Sequence, residues 1–147
     1  MTGHAFQVFV TDDELRSALH AVRAALTDDG RFVFETRNPA ARAWEQWTPD
    51  NATEITAAPD TRVRVEHEVH EVVGELVRFT QTYTSPDWPE PEVSWSTLRF
   101  LDLPGLATFL ADAGLGIARQ SGDWDGGPLT PTSPEIITVA VPRVTLR

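Results

Sequence analysis

Apolar and polar positions alternate with two different periods along the chain, and the change of period divides it. From Leu15 the apolar residues Ala18, Leu19, Val22, Ala25 and Leu26 recur at helical spacing, behind a T-x-x-E capping box formed by Thr11 and Glu14. This predicts an amphipathic helix that ends at Asp28-Asp29-Gly30, with Gly30 as a left-handed cap. RFVFET, residues 31–36, reads as a short buried strand broken by Asn38-Pro39. Ala40 to Trp47 reads as a short helix and the polar stretch 51–60 as a loop. The period then becomes two. In RVRVEHEVHEVV, Val63, Val65, His67 and Val69 share one face and Arg62, Arg64, Glu66 and Glu68 the other. LVRFTQTYT repeats the alternation after Gly74, which predicts a hairpin. After the proline-rich loop SPDWPEPE, the stretch 93–101 reads as a third strand, and three strands in succession predict an antiparallel meander. Asp102 caps a second helix with Pro104 in its first turn, ending at Gly114. GIARQSGDW and EIITVAVPR read as two further strands around the loop GGPLTPTSP. The opening stretch MTGHAFQVFV is mostly apolar and reads as the end of a buried strand.

Composition narrows the function classes. The 147 residues suffice for one domain with a core, and residues 1–147 are expected to form a single domain. Net charge is −10 and no lysine occurs, which argues against nucleic-acid and anionic-membrane partners. Cysteine is absent, excluding disulfides and thiolate chemistry. No apolar run is long enough to span a membrane and no secretory leader pattern opens the sequence, so the expected location is cytoplasmic.

Several stretches together resemble one family. MTGHAFQVF, the capped helix after it, and DDGRFVFETRNP resemble the middle of a class I S-adenosylmethionine-dependent methyltransferase, where the fourth strand ends in a GHAFQ-type motif and the fifth carries E-x-R-N-P. Gly122-Asp123-Trp124-Asp125, Pro128 and Glu135-Ile136-Ile137 resemble the loop and last strand of the same sheet. The resemblance implies a fold between α/β and α+β. Residues 1–48 and 102–147 would be the remnant of a Rossmann-like sheet, and 61–101 an inserted three-stranded antiparallel meander covering the substrate.

The departure from the pattern is equally specific. The family's G-x-G-x-G turn after its first strand is missing, as is the acidic residue that binds the ribose. The one G-x-G, Gly114-Leu115-Gly116, follows a helix and precedes a strand, the arrangement of a helix cap. The resemblance therefore implies the C-terminal half of a methyltransferase whose parent fold begins before Met1. The chain is expected to bind no cofactor alone, and to work with S-adenosylmethionine when a cofactor-binding half is supplied in trans.

By this resemblance the candidate site lies at the carboxyl ends of the fourth and fifth strands. His4 would be a general base, set against the alternative of an inert histidine on a frayed segment. Phe6, Gln7, Glu35, Arg37 and Asn38 would line the substrate. Arg37 suits a carboxylate or phosphate, or else a local ion pair beside the Asn38-Pro39 turn. Trp88 in the proline-rich loop is the candidate lid and Trp124 a further substrate contact; Trp44 and Trp95 are expected in core or interface. His67 and His70 lie three apart on a strand, a spacing that points them to opposite faces, so no metal site is expected. Two functions follow. One is the substrate-side half of a small-molecule methyltransferase, inactive alone. The other is a non-enzymatic homodimeric module that binds a small molecule or a partner, dimerising through the exposed sheet edge of RFVFET.

Overall fold

The computed structural model describes residues Met1 to Arg143. In chain order it contains helix α1 (Asp12–Ala25), strand β1 (Phe32–Arg37), strands β2 (Thr53–Ala58), β3 (Thr61–Val73), β4 (Leu76–Thr84) and β5 (Glu92–Arg99), helix α2 (Leu103–Asp112), and strands β6 (Leu115–Ser121) and β7 (Glu135–Pro142). They fall into two compact units, one of Met1–Arg42 with the residues from Arg99 on, the other of Ala43–Leu98. The last four residues of the expected 102–147 segment lie outside the described part.

In the first unit a three-stranded sheet has the order β1-β7-β6, with both pairings antiparallel. β1 and β6 therefore run in the same direction. α1 and α2 bury their apolar stripes against this sheet. Leu15, Leu19, Leu106 and Leu110 from the helices enclose Phe34 of β1 and Leu115 of β6, each at most 1% exposed. Burial of each such side chain contributes about 1.5–3 kcal/mol. The ends of both helices follow local chemistry. The Thr11 hydroxyl accepts from the Glu14 N–H while the Glu14 carboxylate accepts from the Thr11 N–H, as the capping box predicts. Asp102 caps α2 by accepting from the Gly105 N–H at 2.7 Å, and Gly114 ends it at φ 77°.

The second unit is a four-stranded sheet in the order β2-β3-β4-β5, with β2–β3 and β3–β4 antiparallel. Its buried face carries Val63, Val65, Val77 and Phe79, with the Trp47 ring 4.6 Å from Phe79. A register shift between Val69 and Glu71 interrupts the β3–β4 ladder. His67 meets Gln81 and the Phe79 ring, whereas His70 meets Thr80 and Trp95. Gln81 and Thr80 are neighbours on β4, so the two histidines take opposite faces.

Several expectations are corrected. The sheet of the second unit has four strands, because residues 53–58 of the expected loop pair with β3 as an edge strand. Its alternation was hidden by Thr, Ala and Pro59-Asp60 at the turn. The expected helix 40–47 is two 3₁₀ turns, Pro39–Ala41 and Ala43–Gln46, split at Arg42, whose φ of 47° leaves the helical region. α1 ends at Ala25, five residues before Gly30, because Leu26 is extended; Gly30 is not left-handed. The opening stretch is a 3₁₀ turn over Ala5–Val8, since Gly3 and His4 both have positive φ and turn the chain out of a strand. Of the two places expected for Trp95, core or interface, the core is excluded: it is 58% exposed, with Arg78 stacked 5.0 Å over its ring.

Among the described residues no helix is long and apolar enough to cross a membrane, and no three His, Cys, Asp or Glu side chains group to hold a metal.

Candidate functional site

The sheet of the first unit brings three things to one edge: the carboxyl end of β1, the carboxyl end of β6 and the start of β7. Arg37 pairs in register with Glu135, and Ser121 with Ile137. Carboxyl ends of parallel-running strands are where such sheets take ligands.

The opening segment folds back over β1. The Met1 amine donates to the Val33 carbonyl at 2.6 Å. The Glu35 carboxylate then accepts from the Gly3 N–H, and from the His4 N–H at 3.2 Å. Two successive residues at positive φ, 67° for Gly3 and 57° for His4, aim both N–H groups at that carboxylate. Glycine tolerates this geometry freely. A histidine there costs about 1–2 kcal/mol, so His4 must be held. Glu135 holds its ring, with Nε2 at 2.8 and 3.0 Å from the two carboxylate oxygens. Glu35 is further tied by the Trp124 indole N–H, which donates at 2.7 Å. Burial pushes the Glu35 carboxyl up, but the Trp124 indole and the His4 and Gly3 amides outweigh it and hold the group below the usual glutamate range. Arg37 is drawn below its ordinary value by burial, against the opposing fields of Glu135 and Glu35.

Gln7 is 1% exposed and braces the segment. Its amide donates to the Arg99 carbonyl at 3.0 Å and accepts from the Arg37 N–H at 3.1 Å. Phe6 is 3% exposed and stacked on Phe34 at 4.4 Å. Asn38 is also buried. Its side chain donates to the Ser133 and Thr130 carbonyls and accepts from the Ala40 N–H, while its backbone N–H reaches Pro134. It thereby ties the loop before β7 to the end of β1. The loop after β6 closes on itself through Gly122 N–H to the Gly127 carbonyl at 2.9 Å. A Cβ at Gly122 would stand 2.7 Å from the Pro128 carbonyl, so only glycine lets the loop fold this tightly. That closure presents Trp124, 53% exposed, to Glu35.

Of the residues expected to form the site, His4, Glu35, Arg37 and Trp124 are thus gathered in one polar cluster, with Phe6, Gln7 and Asn38 packed beneath and beside it. Trp88 lies in the second unit, on an exposed loop where Trp88, Pro89, Glu90 and Glu92 line a cavity of about 530 Å³. Sequence reasoning missed Glu135. The signal available in the sequence was its place at the head of the last strand; its antiparallel register with Arg37 belongs to the folded sheet. Beside the cluster, Asn38, Ala40 and Leu103 are shared by two small clefts of about 220 and 270 Å³, with Pro39, Pro104 and Pro131 among their other walls.

No protein-family model matches the sequence, and no curated protein matches it. Solved structures do resemble the fold. The CcbJ methyltransferase of Streptomyces caelestis superposes with a TM-score of 0.76 at 18% identity, over 97% of this chain and 55% of that one. An S-adenosylmethionine-dependent methyltransferase of Clostridium acetobutylicum gives 0.76 at 12% identity, over 97% and 56%. CalS10, an amino pentose methyltransferase of Micromonospora echinaspora solved with S-adenosylmethionine, gives 0.65 at 18%, over 96% and 56%. At these identities the likeness is one of fold: the chain has the fold of part of an S-adenosylmethionine-dependent methyltransferase. It spans about 55% of the length of these structures.

Proposed function

We propose that this chain is the substrate-side part of an S-adenosylmethionine-dependent methyltransferase acting on a small molecule, corresponding to the C-terminal half of such an enzyme. The observation that carries this reading is the superposition of nearly the whole chain on about half of CcbJ. The polar cluster at the carboxyl ends of β1 and β6 supports it. His4, Glu35, Arg37 and Trp124 would meet the methyl acceptor, on the scaffold made by Phe6, Gln7 and Asn38.

The residues present do not fit the cofactor. A cofactor turn places glycines between the end of a strand and the start of a helix, so that bare backbone N–H groups reach the ligand. Gly114-Leu115-Gly116 stands the other way round, after α2 and at the head of β6. In this reading the cofactor is bound by residues supplied from elsewhere, and the chain is inactive by itself. The protein's part in methyl transfer is then to hold the acceptor in line. Isothermal titration of the isolated chain with S-adenosylhomocysteine tests the division of labour. No saturable heat is expected; micromolar binding would show that the chain carries a cofactor site of its own.

A second reading, a homodimeric binding module, is favoured by the open edges. Among the described residues β1 pairs with a strand on one side only. In the second unit Val93 and Trp95 are each more than half exposed. Bare edges and apolar patches of this kind recruit partners. Light scattering at micromolar concentration is expected to give twice 16.3 kDa; a monomer counts against the dimer.

A further inference from the structure

We infer that Glu135 is a positioning residue for His4, and that Nδ1 of His4 is the atom that accepts a proton from the bound acceptor. The inference rests on the methyl-transfer reading and goes beyond it by assigning the atom and its partner.

The argument starts from donor and acceptor rules. An ionised carboxylate only accepts hydrogen bonds. Glu135 places both its oxygens within 3.0 Å of His4 Nε2. That nitrogen therefore carries the hydrogen, and in the neutral ring the lone pair is on Nδ1. Among the described residues Nδ1 has no hydrogen-bond partner. The His4 side chain is 23% exposed and that of Glu135 28%, open enough for a small molecule and sheltered enough to keep its orientation.

The rest of the cluster fixes the ring. Glu35 captures the backbone of residues 3 and 4, so the left-handed turn is imposed from below. Glu135 is the first residue of β7, and the carbonyl of the preceding Pro134 receives the Asn38 N–H at 2.9 Å. His4 is thus held from two strands of one sheet, its backbone by Glu35 of β1 and its ring by Glu135 of β7, which is the rigid support that a working proton acceptor needs. The charged groups around it are Glu35 and Arg37 from β1 and Glu135 from β7. When an acceptor X–H meets Nδ1, the X–H bond breaks, an Nδ1–H bond forms, and the electron pair stays on X as the nucleophile. The positive charge on the ring then faces the Glu135 carboxylate.

The test uses the chain with ¹⁵N-labelled histidine, observed by long-range ¹H–¹⁵N correlation where imidazole is neutral, with signals assigned by His4→Gln. His20 is exposed and serves as the control for an unrestrained ring. His4 is expected to hold a single tautomer, protonated on Nε2 and bare on Nδ1. Glu135→Ala should return it to the averaged pattern of His20, while the backbone amide spectrum of the rest of the unit stays in place. A wild-type His4 that already matches His20, a proton on Nδ1, or no change in Glu135→Ala would each overturn the assignment. In a methyl-transfer assay with the cofactor-binding part supplied, Glu135→Ala should lower kcat about tenfold or more with little change in the acceptor KM. A loss confined to KM would overturn the positioning role. The spectroscopic arm needs neither cofactor nor acceptor. An averaged tautomer therefore sinks the inference alone, and a locked tautomer without methylated product sinks the methyl-transfer reading and the proton step with it, while the positioning of His4 by Glu135 stands.

Discussion

At the scale of single residues, Glu35 joins the opening segment to the loop that carries Trp124. Ionised, it receives the N–H groups of Gly3, His4 and Trp124, and its carboxyl lies below the usual range. A group depressed in the folded state contributes stability that is complete above its unfolded pKa and is lost as pH falls through its folded value. Wild type should therefore exceed Glu35→Gln in urea stability at pH 7, and the gap should close as pH drops below about 4, where an unfolded glutamate protonates. A gap independent of pH would mean that the carboxylate charge is irrelevant. Asn38 makes a second residue-scale case. Asn38→Ala leaves the Ser133 and Thr130 carbonyls and the Ala40 N–H without this partner. The expected cost is about 1–3 kcal/mol by urea titration. Neither role was legible from residue type. Glu35, Arg37 and Asn38 were expected at a strand end because of the E-x-R-N-P pattern, but their partners come from the opening segment about thirty residues before them and from loops about ninety residues after them.

Elements were more legible, because their determinants are local. The Thr11–Glu14 box and the Asp102 cap are contained within four residues each, and both form as expected. Thr11→Ala should cost about 1 kcal/mol of unfolding free energy. Leu19, 1% exposed in the α1 stripe, should cost about 2–5 kcal/mol when cut to alanine. Val72, 48% exposed on β3, should stay within about 0.5 kcal/mol under the same change. Chemical denaturation of the three variants separates these classes; equal losses would refute the burial pattern. The elements that escaped were those lacking a periodic signal. β2 is exposed at every position and owes its extended form to pairing with β3. The first of the turns over 39–46 is set by Asn38, whose side chain caps it. The hydrophobic opening stretch suggested a strand, yet Phe6 turns inward to stack on Phe34 rather than continuing a ladder.

For the molecule as a whole, charge and edges make the predictions. With net charge −10 and a pI near 4.7, solubility should pass through a minimum around that pH, measurable by turbidity. Dimerisation and the absence of cofactor binding are the other whole-molecule expectations, each with its measurement above.

Local periodicity, caps and turn residues mark α1, α2, the β3–β4 hairpin and the extents of the last two strands, because those signals are written within a few positions of each element. Composition alone excludes thiol chemistry, and the acidic balance disfavours nucleic-acid partners. The order of motifs pointed to the methyltransferase fold that the solved structures share. The antiparallel placement of β7 between β1 and β6, and with it the pairing of His4 with Glu135, came from long-range contact. The two residues are 131 positions apart. Neither one's local sequence marks the other, and only a closed sheet with a folded-back opening segment puts a carboxylate 2.8 Å from that imidazole.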